Sequence, residues 1–246
     1  MRLDLYLVEK GLVSSRTEAK GFITASAVKV NGKIITKPAF DVLDEGADII
    51  VDKSSKKYVS RGGLKLEAAL DSFKIDVKNK RAIDIGASSG GFTDCLLSYG
   101  VESVIAVDSG TAQLVGSLRT DPRVISIENY NARYMRREDL PYIPDLAVMD
   151  VSFISATYIM PAIKETLAPG SDFICLIKPQ FEVGRSGLGK GGIVKNEKIR
   201  NDAVKKVIDF ANSLGFVCHS VIESPIIGGD GNVEFLAHLQ LGEYNE

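Results

Sequence analysis

Four charged residues and one glycine-rich turn in this 246-residue chain have the types and positions from which chemistry is built. Asp150 and Lys178 each stand at the C-terminal end of a strongly apolar run, DLAVMDVS and DFICLIKP. In an open α/β sheet, that end of the strands is where ligands bind. Asp150 is flanked by Val148, Met149, Val151 and Phe153, and an acid in such a setting is seldom buried without a partner. Lys65 lies in SRGGLKLEAAL, ahead of the first such run, and Glu234 opens the last one. Isolated, each of these charges would more often be a surface residue.

The glycine-rich turn is AIDIGASSGGF, between a strand pattern and a helix pattern. Gly86, Gly90 and Gly91 let the backbone approach a ligand closely and open a helix N-terminus toward it. The next apolar run, SVIAVDS, ends in Asp108 roughly 20 residues on, where an acid can accept both ribose hydroxyls of an adenosyl group. Those features alone suit any adenosine cofactor. The spacing G-x-x-x-G-G departs from the dinucleotide fingerprint, and Asp84 adds an acid that repels a pyrophosphate but tolerates a sulfonium-bearing amino acid. S-adenosylmethionine is therefore favoured over NAD. The expected donor-binding set is Asp84, Gly86, Ala87, Ser88, Gly90, Gly91, Phe92, Asp108 and Asn129.

A second glycine-rich stretch, GRSGLGKGG, matches part of a phosphate-binding loop through Gly184, Gly189 and Lys190. Gly191 stands where Ser or Thr would hold magnesium, and the loop follows a late strand rather than the first. It reads as a mobile lid with Arg185, Lys190 and Lys195 available to RNA phosphates, or as a plain surface loop.

The elements that must position these residues fall into two blocks. The first runs to about residue 53. Leu3, Leu7 and Val8, then Ala19, Phe22 and Ile23, have helical spacing. Ser14 or Ser15 reads as an N-cap, with Glu18 completing a capping box. VKVNGKII alternates about Asn31-Gly32, a strong hairpin signal because both residues tolerate positive φ, and ADIIV adds a short strand. SSKKYVSRG, residues 54–62, is a polar linker. From 63 to 246, near-continuous apolar strands alternate with helical or loop segments, the pattern of a doubly wound α/β sheet. NEKIRNDAVKKVIDFANSLG is an amphipathic helix capped by Asn196 and ended by Gly215. FVCHSVIES and VEFLAHLQL, joined by SPIIGGDGN, read as an antiparallel pair at the sheet edge.

Charge is distributed unevenly. Through Phe40 there are seven Lys or Arg against three acids, so a +4 head sits on a −6 body in a chain of net charge −2. A basic end is the footprint of a phosphate-contacting surface, although a solvated face with chance clustering has the same count. Cys95, Cys175, Cys218, His219 and His238 are isolated and lie in apolar or strand-like runs, so they read as packing residues of a protein in a reducing compartment. No apolar stretch approaches the ~18 residues that span a bilayer. Asp4 and Glu9 interrupt the N-terminus, which does not read as a signal peptide.

Lys65, Asp150, Lys178 and Glu234, in that order around DIGASSGGF, resemble the Lys-Asp-Lys-Glu tetrad of FtsJ-type ribose 2′-O-methyltransferases. MRLD, GLVSSRTEAK, VKVNGK and KP are similar to S4-type RNA-binding domains, although Ser26 stands where that pattern usually has Gly. With MDVSFIS, LIKPQFEVGR and GLGKGG, nearly the whole chain resembles the TlyA family, often labelled hemolysin A. Ala87-Ser88-Ser89 and Phe92 replace the Ala-Ala-Pro and Trp frequent in the wider FtsJ group.

The resemblance implies a Rossmann-like class I methyltransferase sheet, mostly parallel with one antiparallel edge strand, behind a small α+β S4-type domain. It implies S-adenosyl-L-methionine as donor and ribosomal RNA in assembled subunits as partner, with cytidine as target. It also implies a cytoplasmic monomer needing neither metal nor membrane. In this reading Lys178, as a neutral amine, takes the ribose hydroxyl proton and Asp150 orients it. A second ammonium at Lys65 favours that form, and Glu234 orients Lys65 or the hydroxyl. Arg2, Arg16, Lys20, Lys33, Arg61, Arg185 and Lys190 are the expected RNA contacts. The alternatives are a membrane-lysing protein, an assembly factor with little catalysis, and a base methyltransferase. The last would carry Asn-Pro-Pro-Tyr or a nucleophilic Cys where this chain has MDVSF.

Overall fold

The computed structural model describes the chain apart from residues 14, 25–26, 45, 53–56, 185–186, 229–230 and 243–246, and apart from the side chains at 17, 18 and 24. It divides into two compact units, Met1–Arg61 and Gly62–Glu246.

In the first unit, α1 (Leu3–Glu9) and α2 (Arg16–Thr24) pack over a three-stranded antiparallel sheet. Its strands are β1 (Val28–Val30), β2 (Lys33–Ile34) and β3 (Ile49–Val51), in the order β2-β1-β3. Leu3, Leu7, Ala19, Ile23 and Val28 are wholly buried and form the core. Asn31 and Gly32 both take positive φ, 49° and 75°, as a tight two-residue hairpin requires. Asn31 Oδ1 also accepts the Asp48 N–H at 2.9 Å, which fastens the hairpin to the approach of β3. The free N–H groups at the start of α1 go to the carbonyls of Phe40 and Pro38, at 2.7 and 3.1 Å, so no side-chain cap is needed there. Ser14, Ser26 and the Glu18 side chain of the expected capping box lie outside the described residues.

The second unit is a seven-stranded sheet between helices. Its strands are β4 (Arg81–Ile85), β5 (Ser103–Val107), β6 (Val124–Ile127), β7 (Leu146–Met149), β8 (Asp172–Ile177), β9 (Phe216–Glu223) and β10 (Phe235–Leu241). The helices are α3 (Gly62–Phe73), α4 (Gly91–Ser98), α5 (Gly116–Arg119), α6 (Met160–Thr166), α7 (Pro179–Glu182) and α8 (Glu197–Ser213). The strand order is β6-β5-β4-β7-β8-β10-β9, and β10 alone runs against the others. The antiparallel strand thus lies one place in from the edge, with β9 outside it. The chain winds outward from β4 through β5 to β6 and then returns to β7, so the topological switch point falls between β4 and β7. β7 is buried along its whole length, whereas the edge strands β6 and β9 are half exposed. Asn196 caps α8, its Oδ1 accepting the Ile199 N–H at 3.3 Å, and Gly215 follows with φ +93°.

Cys95 and Cys175 are buried and Cys218 is half-buried. His238 packs on Phe73 and bonds Asp172 at 2.9 Å, but His219 is exposed on β9 rather than packed inside.

Candidate active site

At the switch point the chain leaves β4 through Gly86, with φ +82°. A Cβ there would stand 2.4 Å from the Asp150 carbonyl oxygen, so only glycine lets this turn meet the end of β7. The turn aims Ser88 N–H at Asp108 Oδ2, and Gly110 N–H, just past β5, donates to Oδ1, both at 2.7 Å. Beside it lies a cavity of about 510 Å³ whose polar wall includes Ser88, Asp108, Asn131 and Asp150. Ile85, Val107 and Ile159 supply apolar wall. The lining holds two carboxylates and neither lysine nor arginine. Such a lining fits an adenosyl group carrying a positively charged sulfur, and it disfavours a pyrophosphate.

Of the expected donor-binding residues, Gly86, Ser88 and Asp108 line this cavity, and the others do not. Gly90, with φ +98°, is needed for packing: a Cβ would lie 2.3 Å from Leu118 Cδ1 and 2.7 Å from Leu114 Cδ1. Ala87, Gly91 and Phe92 are buried behind the turn. Asn129, with φ +55°, accepts a 2.5 Å hydrogen bond from Thr111 Oγ1 and leads into Tyr130 and Asn131, which do line the cavity. Asp84 is wholly buried; Thr93 Oγ1 donates to its Oδ2 at 2.6 Å, while Oδ1 has no hydrogen-bond partner. Burial pushes its carboxyl up to about 7. The Thr93 hydrogen bond opposes that rise, and the charges of Asp150 and Asp108 add to it.

The four charged residues form two lysine–carboxylate pairs. Lys178 Nζ lies 2.6 Å from Asp150 Oδ1 and donates a hydrogen bond to Ser152 Oγ at 2.7 Å. The Asp150 contact falls outside hydrogen-bonding angles, so it is an ion pair and Ser152 takes the directed bond. Lys65, reaching in from α3, donates to Glu234 Oε2 at 2.5 Å, and both residues are buried. Phe235 pairs with Ile177 across β10 and β8, so Glu234 and Lys178 stand side by side at one end of the sheet. Gly228 presses on this pair, since a Cβ there would lie 2.5 Å from Glu234 Oε1. Asn232 holds the neighbouring glycine-rich loop, accepting from Val194 N at 2.9 Å and donating to the Gly192 carbonyl at 3.2 Å. The segment expected as a mobile lid is therefore tied down at its Gly192–Val194 end.

Three features here escape residue-type reasoning. Ser152 shares Lys178 with Asp150. Phe153 is 91% exposed and has φ +64°, a strained conformation for a bulky residue, with its ring 5.3 Å from Phe181. Arg133, exposed next to cavity-lining Ala132, lies 5.0 Å from the Tyr158 ring and 5.8 Å from the Tyr134 ring. The signal that could have found Ser152 and Phe153 was position alone, just past the C-terminal end of β7, which flanks the crevice.

The expected RNA contacts differ among themselves. Arg2 and Arg16 both hold buried Asp4: Arg2 donates from Nε at 3.0 Å and from Nη2 at 3.1 Å, and Arg16 from Nε at 2.8 Å. Lys20, Lys33 and Lys190 are exposed, Arg61 is half-buried, and Arg185 lies outside the described residues. Among the described residues no group of three or more His, Cys, Asp or Glu is placed to hold a metal ion. No described helix is long and apolar enough to cross a membrane.

A glycine-turned parallel sheet with an adenosyl-sized cavity at its switch point defines a Rossmann-like methyltransferase. Residues 58–241 match the FtsJ-like methyltransferase family and residues 1–49 match the S4 domain, so the chain belongs to the FtsJ-like methyltransferase family with an S4 head. It is 42% identical over 239 residues to the 16S/23S rRNA (cytidine-2′-O)-methyltransferase TlyA of Mycobacterium tuberculosis, covering 97% of this chain and 89% of that one. It is 46% identical over 243 residues to Hemolysin A of Brachyspira hyodysenteriae, covering 97% and 99%. A solved Streptococcus thermophilus protein that carries the hemolysin name superposes with a TM-score of 0.79 at 44% identity, covering 98% of this chain and 88% of that one.

Proposed function

We propose that this chain transfers a methyl group from S-adenosylmethionine to a ribose 2′-hydroxyl of ribosomal RNA, at cytidine, within assembled ribosomal subunits. The observation that carries this reading is the double lysine–carboxylate arrangement beside the cavity, Lys178 with Asp150 and Lys65 with Glu234. A ribose hydroxyl is a poor nucleophile until its proton leaves. Lys178 is the group placed to take that proton, and Asp150 at 2.6 Å stabilises the ammonium that results. Glu234 holds Lys65 in place at the hydroxyl. The donor supplies a methyl group on a cationic sulfur, whose charge Asp108 and Asp150 offset. Much of the rate comes from in-line positioning of the hydroxyl.

Gly86, Ser88 and Asp108 form the donor wall. Asp84, Ala87, Gly90, Gly91 and Phe92 shape the turn behind it, and Asn129 sets Tyr130 and Asn131. The exposed ring of Phe153 offers a stacking face for the target base, as aromatic side chains do for unstacked nucleotides. Residues 1–53 hold the RNA, 54–62 act as a linker and 63–246 carry out the reaction. Arg2, Arg16, Lys20, Lys33, Arg61, Arg185 and Lys190 contact phosphates, and such contacts position RNA without reading its sequence. Ribosomal subunits as partners put the enzyme in the cytoplasm. Radiolabelled methyl transfer to purified ribosomal subunits, with the product nucleoside mapped, tests the proposal. Label is expected on a ribose, and label on a base overturns it.

A further inference from the structure

Two segments run beside each other, the first of them lining the cavity. One is the turn after β7, with Asp150, Ser152 and Phe153. The other follows β8, with Lys178, Phe181 and Glu182. Lys178 fastens the start of the turn through Asp150 and Ser152. Glu182 fastens its end: Ser155 Oγ donates to Oε2 at 2.5 Å, and the Ala156 N–H donates to Oε1 at 2.8 Å. Ser155 extends the clamp forward by accepting the Thr157 N–H at 3.3 Å, which caps the short 3-10 turn Ala156–Tyr158. From behind, Lys206 on α8 donates to the Glu182 carbonyl at 2.9 Å.

Glu182 is only 6% exposed. A carboxylate taken out of water costs free energy that an apolar side chain of similar size avoids, so plain packing does not call for an acid here. Between the two fastenings sits Phe153, with a left-handed backbone and an exposed ring. Neither its backbone preference nor burial of the ring keeps it there, so the clamp on either side must.

We infer that Glu182 is a positioning residue for methyl transfer: by clamping Ser155 and Ala156 it holds Phe153 against the target base and so sets the ribose hydroxyl before Lys178. The inference rests on the ribose-methylation reading above and gives its substrate site a part that lies outside the lysine–carboxylate set.

A double-mutant cycle tests it, with Glu182→Ala, Phe153→Ala and their combination assayed by methyl transfer to ribosomal subunits, and donor affinity measured by calorimetry. Glu182→Ala is expected to lower kcat by about 30-fold at saturating subunits, the scale of a small misplacement of reacting groups. Its Kd for S-adenosylmethionine should stay within about twofold, and in the Phe153→Ala background the same change should cost less than about twofold. Glu182→Gln keeps an acceptor for Ala156 N–H and should recover most of the rate. Equal losses in both backgrounds, or donor affinity falling in step with rate, would overturn the inference. If Glu182→Ala does not fold, Ser155→Ala removes one of the two bonds and takes its place under the same criteria. No transfer by the unaltered chain would sink the ribose reading instead. A crystal structure of the variant then decides the clamp: φ of Phe153 leaving the positive region supports it, and φ unchanged refutes it.

Discussion

Asp4 in the head and Asp84 in the catalytic unit are both wholly shielded from solvent, yet their surroundings treat charge in opposite ways. Burial alone would raise the carboxyl of Asp4, but hydrogen bonds from Arg2 and Arg16, with their charges, outweigh it and hold the group at about 2. Asp84 has one hydroxyl partner and two neighbouring acids, and it is pushed up to about 7. In the head, then, a buried carboxylate anchors two arginines whose own side chains are 43% and 49% exposed. In the catalytic unit, the carboxyl groups of Asp84, Asp108 and Asp150 are crowded at and behind the cavity, at a cost to the fold. Strongly shifted groups gather at functional sites for this reason.

The two aspartates give opposite pH slopes. The folded-state value of Asp4 lies below its ordinary value of 3.8, so its stabilisation is present above that pH and lost as pH falls through about 2. The folded-state value of Asp84 lies above 3.8, so the folded form keeps a proton that the unfolded form has released. Stability therefore declines as pH rises from 3.8 through about 7 and then levels off.

The largest effect separates the ion pair proposed to do chemistry from one that anchors. Lys178→Ala should cut methyl transfer by about 10³-fold while leaving donor binding by calorimetry nearly intact. Full activity in that variant would remove Lys178 from the reaction. Asp84→Asn should flatten the fall in melting temperature between pH 5 and 8, a gain on the order of a few kcal/mol at the upper end. A slope identical to that of the parent chain would show that Asp84 is not the group responsible. Arg16→Ala should destabilise the head by about 1 kcal/mol, a modest figure because its guanidinium is half in solvent. Limited proteolysis within residues 1–53 at neutral pH reads that loss, and it should fade near pH 2, where Asp4 takes up its proton. Smallest is Lys20→Glu with Lys33→Glu, which should weaken RNA binding severalfold and reduce the salt slope by about 2. Unchanged binding would mean that the exposed lysines of the head do not meet phosphate.

Much of this was legible in the residues, and the gaps have physical causes. The doubly wound sheet followed from near-continuous apolar runs, and the Asn31-Gly32 hairpin from two residues that tolerate positive φ. The approach of Gly86 to a ligand could be anticipated, but its closest neighbour is the Asp150 carbonyl, a contact made across 64 residues that no local pattern encodes. Arg16 counts as positive charge in any tally, yet Asp4 claims it, because a tally does not see which acid the fold buries nearby. Phe153 reads as one more apolar residue after a buried strand; only the backbone shows that it is turned outward. The clamp at Glu182 was illegible because its partners lie 26 and 27 positions away on another segment.

The contact between Gly86 and the end of β7 has a consequence for anyone reshaping this enzyme. The turn proposed to hold the donor and the strand end that carries Asp150 touch backbone to backbone, with Asp150 N–H also donating to the Ile85 carbonyl at 3.0 Å. On the proposed function, donor selectivity and proton handling are thus inherited together, like two gears on one shaft. On that same reading, room for bulkier sulfonium analogues is to be sought at Asn131 or Ile159, which also line the cavity, because a change that moves the turn also moves the acid.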